Sequence, residues 1–531
     1  MSGSHAVRKS AGAATATALF LGALLYLTLC MDQSVGAYDE GITLVGAERV
    51  LRGDVPHRDF YALYGPGQFY VIAGLFKLFG ASVLVERVWI TVMSACSTAL
   101  IFLIVDRVAP RYLAVLAAIA ALPWFRNSGP YGSATIPCMT AMLTGLFLLA
   151  PVLSQAGGRP RLLGAGMCAG VAMLFRYDAG VAIFGSECVL LAVAIWFEHP
   201  IVADRPRAIA LGLIVFGAGF AAITVPVAVA YAINGTLSDF YFDVVTFPSA
   251  AYVRTRGLPL PRLWMLRKDP AEFFGVYLPL VVCAATVPAL IASIVARQSA
   301  LRWTVLALAV LELVWFAKGF VRASLPQMGM AVVLCAPLAA MLAQPIRGRG
   351  PIGAAMAVMA IVLGLGVTVA SEPPALAAAW RNLSQAPDCH LPADLERMAC
   401  FLVRADTAEA IRYIHQHTAP DDPIFIGLPR HDKIFVNDVT LYFQMDRPVA
   451  TKWHQFDPGL QTSLPIQREM IGELQRVRPR FVVITSIWNG MNEPNDSSVS
   501  SGVTLLDDYI RQTYESVATF GPNTILRART L

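Results

Sequence analysis

Over the first 370 or so residues the chain alternates long apolar runs with short polar connections, and beyond that the pattern changes. Apolar runs at 11–31, 84–105, 110–126, 133–154, 161–176, 179–198, 208–233, 274–296, 301–318, 325–345 and 351–371 approach the roughly 20 residues needed to cross a bilayer core. They predict about eleven transmembrane helices. After residue 371 the apolar positions come in short, alternating groups. The pattern predicts helices at 405–417, 438–445, 466–476 and 505–514, strands at 423–427 and 481–485, and a closing strand pair at 516–520 and 524–527. The expected fold class is therefore a mainly α, polytopic membrane domain over 1–371 followed by a small soluble α/β domain over 372–531.

Charge fixes the expected orientation. Arg8 and Lys9 precede the first run, and compact basic pairs recur on every second connection: Arg107 with Arg111, Arg159 with Arg161, Arg205 with Arg207, Arg297 with Arg302, and Arg347 with Arg349. Basic loops prefer the cytoplasm, so these connections are expected inside, with the N-terminus inside and the C-terminal domain outside. The stretch 68–79 (QFYVIAGLFKLF) is apolar but short, carries Lys77 and follows the breaker Tyr64-Gly65-Pro66-Gly67. A crossing there would move all five later pairs outside, so it reads as an interfacial or re-entrant helix on the outer face. Three outer pieces result: 32–83, 234–273 and the tail from 371.

Composition narrows the class further. Of 531 residues, 56% are hydrophobic and 15% charged, with a mean hydropathy of +0.58. A soluble domain of that composition could not clothe its surface. The net charge of +5 is not gathered into a basic tract with interleaved aromatics, so nucleic acid is not an expected partner. Of nine cysteines only Cys389 and Cys400 fall in the polar tail, where a disulfide between them is open if the tail is outside. The first run reads as a retained anchor, being long and lacking a nearby A-x-A-like cleavage site. G-x-S-x-G, P-loop and H-E-x-x-H motifs are missing from the sequence, which removes the common soluble hydrolase and nucleotide readings.

Candidate chemistry gathers just beyond the first run, at Asp39 and Glu40. A carboxylate at the outer surface can serve as general base on an acceptor hydroxyl or amine. It can equally cap the amphipathic helix expected over 42–52. The loop continues through His57, Arg58 and Asp59 to Tyr64. No metal is demanded and no cofactor is certain, although Asp39, Glu40, His57 and Asp59 could supply ligands to a divalent cation.

The order of these features resembles the polyprenyl-phosphate-dependent glycosyltransferases of the GT-C fold, the group of protein O-mannosyltransferases and lipid A aminoarabinose transferase. The resemblance lies in Asp39-Glu40 after the first span, the amphipathic helix, a Pro-containing motif opening an interfacial helix, its Leu78-Phe79-Gly80 end, and Glu86-Arg87 before the next span. It is good over about 11–200 and looser beyond. It implies that Asp39 is the base, that a single displacement inverts the anomeric centre, and that a sugar moves from a polyprenyl phosphate to an envelope glycan, lipid or protein. The Lys-Pro-Pro frequent in that group is Tyr64-Gly65-Pro66-Gly67 here, so its lysine is absent; His57 or Arg58 is the expected substitute.

Cations on the outer side run against the topological bias and need a reason. They are Arg126, Arg176, the group Arg254, Arg256, Arg262, Arg267 and Lys268, and Lys318 with Arg322. A lipid phosphate supplies one, because arginine grips phosphate oxygens bidentately. Arg58, Arg176, Arg256 and Arg322 are the candidate phosphate ligands, with pairing to acids such as Asp178 as the alternative. Glu187 and Glu312 lie within apolar runs and read as members of an interhelical pair or hydrogen bond, with a functional role as the alternative. The expected activity is glycosyl transfer at the outer face of the cell inner (plasma) membrane, with membrane lipids around it. The alternative is a transporter or flippase of lipid-linked saccharides with an outer accessory domain.

Overall fold

The computed structural model describes residues 2–127, 131–155, 157–344, 349–385 and 387–529. Arg347, half of the last basic pair, lies outside them. Helices occupy every apolar run read from the sequence: Ser2–Leu29, Val83–Val105, Arg111–Asn127, Thr135–Leu153, Arg159–Phe175, Tyr177–Glu198, Arg205–Ile233, Pro270–Val295, Ser299–Phe320, Leu325–Leu342 and Gly350–Ser371. Among the described residues, nine helices are long and apolar enough to cross a membrane. Arg111–Asn127 and Arg159–Phe175 have 17 residues each and fall short on length. The crossing count of eleven is therefore not established by length and composition.

The connections segregate to two ends of the bundle. At one end the start of the first helix meets the 106–111 connection, where a Cβ on Gly12 would lie 3.5 Å from Arg111 Nη2. At that end too, Arg302 pairs with Glu198. At the other end Arg126 donates to the Cys30 carbonyl at 2.9 Å, and Tyr26 donates to Glu372 at 2.8 Å. The Arg107–Arg111 and Arg297–Arg302 connections thus lie away from the end that carries Cys30 and Glu372.

Pro66–Phe79 is a separate helix of 14 residues, about 21 Å at 1.5 Å per residue. Pro66 starts it at a position where the missing N–H costs nothing. It buries Phe69, Ile72 and Phe76 and exposes Lys77, Leu78 and Phe79. A helix that short and that one-sided suits a membrane surface better than a crossing.

The tail carries a four-stranded sheet. Its strands are β1 (Ile424–Gly427), β2 (Phe481–Thr485), β3 (Tyr514–Phe520) and β4 (Asn523–Ala528), in the order β1-β2-β4-β3. β1 and β2 are parallel, with Ile424 opposite Phe481; the other pairs are antiparallel. A parallel pair needs a crossover. Helix Leu464–Val477, polar on one face and burying Ile466, Met470 and Leu474 on the other, supplies it. Cys389 and Cys400 form a disulfide.

The first outer loop packs on the tail. Ile42, Leu44, Phe60, Phe69 and Phe76 share one apolar core with Ile411, Ile424, Tyr442, Phe443 and Phe481. A Cβ on Gly41 would lie 2.3 Å from the Thr440 amide nitrogen, so only glycine lets the Asp39–Leu51 helix approach so closely. The outer stretch 234–273, expected as a loop, winds instead into short helical pieces, with π turns over Phe242–Thr246 and Pro248–Tyr252. Its run of aromatics fits a wide turn, and such turns recur at functional sites.

Candidate active site

Asp39 opens the Asp39–Leu51 helix, but it does not cap it. Oδ1 accepts the Tyr64 hydroxyl at 2.9 Å, and the helix start has no side-chain cap. Tyr64 is held by its neighbours in turn. A Cβ on Gly65 would lie 2.2 Å from the Leu174 carbonyl oxygen, so the breaker sits directly on the end of the Arg159–Phe175 helix. Gly65 N–H donates to the Phe175 carbonyl at 3.1 Å. That contact carries Tyr64 to Arg176, whose guanidinium lies 5.3 Å from its ring centre.

Burial raises the Asp39 carboxyl above the ordinary carboxylate range. The Tyr64 hydrogen bond and the charges of Arg256 and Arg322 pull it back down, while Asp457 pushes it up. The group is placed to hold or take a proton, as a general base must be. The charges acting on Asp39 come from three places in the chain. Arg256 follows the π turns of the second loop, Arg322 lies between two spans, and Asp457 belongs to the tail.

The cations nearby are held in different ways. Arg176 gives Nε and Nη2 to Asp178, at 3.0 and 2.7 Å, and Nη1 lies 3.4 Å from Thr135 Oγ1. Arg256 is buried, donates to Asp457 Oδ1 at 3.0 Å, and sits by the Tyr38 and Phe435 rings, 5.5 and 5.9 Å away. Arg322 grips Glu493 with both Nη groups, at 2.6 and 3.0 Å, and also donates to the Arg256 carbonyl at 2.6 Å. Tyr252 faces Arg256, Arg322 and Arg176. Lys318, at the end of its helix, has Arg176, Asp178 and Asp39 as charged neighbours.

The other candidates of the first loop lie apart. Glu40 turns away from Asp39 and pairs with Arg87, at 2.7 and 3.0 Å, with both groups fully buried. Arg87 also lies on the Tyr131 and Phe401 rings, at 3.9 and 4.6 Å, and donates to Ser34 O at 2.6 Å. His57 is fully buried with Asp243, Nδ1 to Oδ2 at 2.9 Å, between Tyr231 and Phe240. Arg58 is exposed and pairs with Asp59 at 2.7 Å. Among the described residues no group of three or more His, Cys, Asp and Glu is arranged to hold a metal ion. Asp39, Glu40, His57 and Asp59 have separate partners and do not converge.

An apolar cavity of about 250 Å³ opens beside this cluster. Gly65, Pro66, Leu174 and Tyr177 line its near end, and Thr224, Ala228 and Tyr231 its far end along the Arg205–Ile233 helix. Within the spans, Glu312 accepts the thiols of Cys283 and Cys335, at 2.6 and 2.9 Å, an interhelical bond. Glu187 is buried, and among the described residues neither of its oxygens has a hydrogen-bond partner.

With that geometry in view, known proteins can be compared. Over 97% of each chain, the structure superposes on ArnT from Cupriavidus metallidurans bound to undecaprenyl phosphate, with a TM-score of 0.57 at 17% identity. The chain has the GT-C fold. The apo form of that ArnT gives a TM-score of 0.56 over 97% of this chain and 98% of that one, at 16% identity. The mycobacterial arabinofuranosyltransferase AftD gives 0.50 at 14% identity, over 97% of this chain and 40% of that chain. Residues 64–217 match the profile of the family described as dolichyl-phosphate-mannose-protein mannosyltransferase. No curated protein matches the chain by sequence. In this GT-C chain the matched stretch starts at Tyr64 and includes Arg176, while Asp39 lies ahead of it.

Local sequence did not single out Asp457 or Glu493. Each is an ordinary acid in a polar stretch, and only the docking of the tail brings it to an arginine of the membrane part. Lys318 did carry a signal, as a lysine ending an otherwise apolar run on the same side as Asp39 in the charge-based reading.

Proposed function

We propose that this chain is an integral-membrane glycosyltransferase that moves a sugar from a polyprenyl phosphate to an acceptor at the outer face. One observation carries the reading: Asp39, bonded to Tyr64, has Arg256 and Arg322 from separate segments as charged neighbours, with Arg176 on the Tyr64 ring and an apolar cavity alongside. The GT-C fold and the profile match over 64–217 support it. The donor's phosphate meets the cations and its isoprenoid chain enters the cavity past Tyr177. Asp39 takes the acceptor's proton as the acceptor oxygen or nitrogen attacks the anomeric carbon, and the sugar–phosphate bond breaks. Arginine holds the departing phosphate, a charge-assisted contact that strengthens as the leaving group gains charge. Glu40, engaged by Arg87, positions the start of the helix that carries Asp39. In this reading the bundle crosses the membrane eleven times, with the N-terminus cytoplasmic and residues 372–531 an extracytoplasmic domain. The Cys389–Cys400 disulfide fits an oxidising compartment.

The test is reconstitution in liposomes with a sugar-labelled polyprenyl phosphate. Label should move to a component of an envelope extract and stay on the lipid without it. Label that crosses the bilayer while still attached to its lipid would favour the flippase instead.

A further inference from the structure

Three cations from outside the first loop have Asp39 itself as a charged neighbour: Arg256, Arg322 and Lys318. The tail already holds two of them. Arg256 is paired with Asp457, and Arg322 is gripped by both oxygens of Glu493. Lys318 differs. Among the described residues no ion pair and no hydrogen bond reaches its ammonium group; the centre of the Trp315 ring lies 5.8 Å from Nζ. It is half-buried, and one of its charged neighbours is a like charge, Arg176. The exposed cations of the second loop, Arg254, Arg262, Arg267 and Lys268, have water or lipid head groups to meet. Lys318 does not have that freedom.

A half-buried ammonium near a guanidinium, with Asp178 and Asp39 among its charged neighbours but neither in direct contact, is left incompletely paired. Arg176 shares the problem only in part, because Asp178 covers its Nε and Nη2 edge and leaves Nη1 on the long contact to Thr135. An anion between Lys318 and the Nη1 side of Arg176 would answer both. The donor's phosphodiester carries one negative charge and the released phosphate monoester gains a second, and both suit a lysine point charge beside one arginine edge.

Building on the glycosyl-transfer reading above, we infer that Lys318, together with the free edge of Arg176, binds the phosphate of the lipid donor, while Arg256 and Arg322 are structural anchors for the tail. Lys318 supplies the cation that the Tyr64-Gly65-Pro66-Gly67 motif lacks, from a helix far away in sequence. Its charge also stabilises the phosphate as it leaves.

The experiment measures binding of undecaprenyl phosphate, of the uncharged polyprenol and of inorganic phosphate to the full chain in detergent. Wild type should prefer undecaprenyl phosphate to the polyprenol. Lys318→Met, which keeps the length and the apolar stem, should weaken undecaprenyl phosphate binding about 10- to 100-fold, the scale of one charge-assisted contact. Its polyprenol binding should not change, and Lys318→Arg should restore most of the loss. Without lipid, Lys318→Met should unfold no earlier than wild type, because no partner is left behind. If inorganic phosphate alone competes fully, the site belongs to free phosphate and the lipid assignment is overturned. If Lys318→Met binds like wild type while Arg322→Gln does not, the phosphate sits at the tail side; this inference fails and the donor reading stands. A wild type that does not distinguish the phosphate from the polyprenol overturns both. Should the variant misfold, wild-type Lys318 can be probed with an amine-reactive reagent. Undecaprenyl phosphate should protect it, and labelling that ignores the lipid overturns the inference.

Discussion

At the scale of single residues, two readings of Asp39 part company in one substitution. Asn keeps an oxygen that can accept the Tyr64 hydroxyl, so Asp39→Asn tests the proton and not the fold. Transfer should fall by about 10²–10⁴ if Asp39 is the base. Stability should not fall. Burial raises the folded carboxyl above its unfolded value. That contribution is favourable below the unfolded value and is lost as pH rises through the folded one, so at neutral pH the neutral amide relieves a cost. Tyr64→Phe removes the bond that favours the charged form. The acid limb of the rate against pH should therefore move to higher pH in that variant, with the plateau kept in part. A limb that stays in place would separate Asp39 from the titration.

Elements settle which residues hold the site together. Asp39 and Glu40 are adjacent, so their side chains leave the helix start about 100° apart, since a turn takes 3.6 residues. One reaches Tyr64 and the other Arg87. Glu40→Gln leaves Arg87 buried with one partner fewer, and removing one member of a buried pair costs about 3–5 kcal/mol. Thermal or denaturant unfolding should show that loss in Glu40→Gln and not in Asp39→Asn. Equal stability in both would return Glu40 to the chemistry. The sequence made the elements legible because hydrophobic pattern and breakers are local: Pro66 announces its helix, and the continuous run rich in β-branched residues at 481–485 its strand. The second loop was opaque for the same reason. Its π turns depend on packing against the tail, where Thr255 lies beneath Gly459 and Lys452 meets Asp239 at 3.0 Å.

Across the whole molecule, the legible part of the site was the part set by topology. The basic pairs gave a side to each connection, so Arg176 and Arg322 could be read as facing the same side as Asp39. Their partners could not, because Asp178 is local to Arg176 whereas Glu493 reaches Arg322 from the tail. The topology itself has a direct test in single cysteines at exposed Arg52, Gln298 and Ser384. An impermeant thiol reagent applied outside should label Arg52→Cys and Ser384→Cys and spare Gln298→Cys. If 66–79 crossed the membrane, Gln298 would share the side of Arg52.

The shared core of the first loop and the tail bears on how the protein is made. Thr440 Oγ1 donates to the Gly36 carbonyl across 404 residues of chain. The segment bearing Asp39 leaves the ribosome early, yet Ile42, Phe60, Phe69 and Phe76 are covered only when the last part of the polypeptide arrives. Until then those side chains have the membrane surface as their only refuge, and Pro66–Phe79 is an amphipathic float that can keep them there. Biogenesis is thus a closing of the chain's two ends upon each other. A protein shortened at residue 371 would be an unfinished one, the loop that bears Asp39 never set.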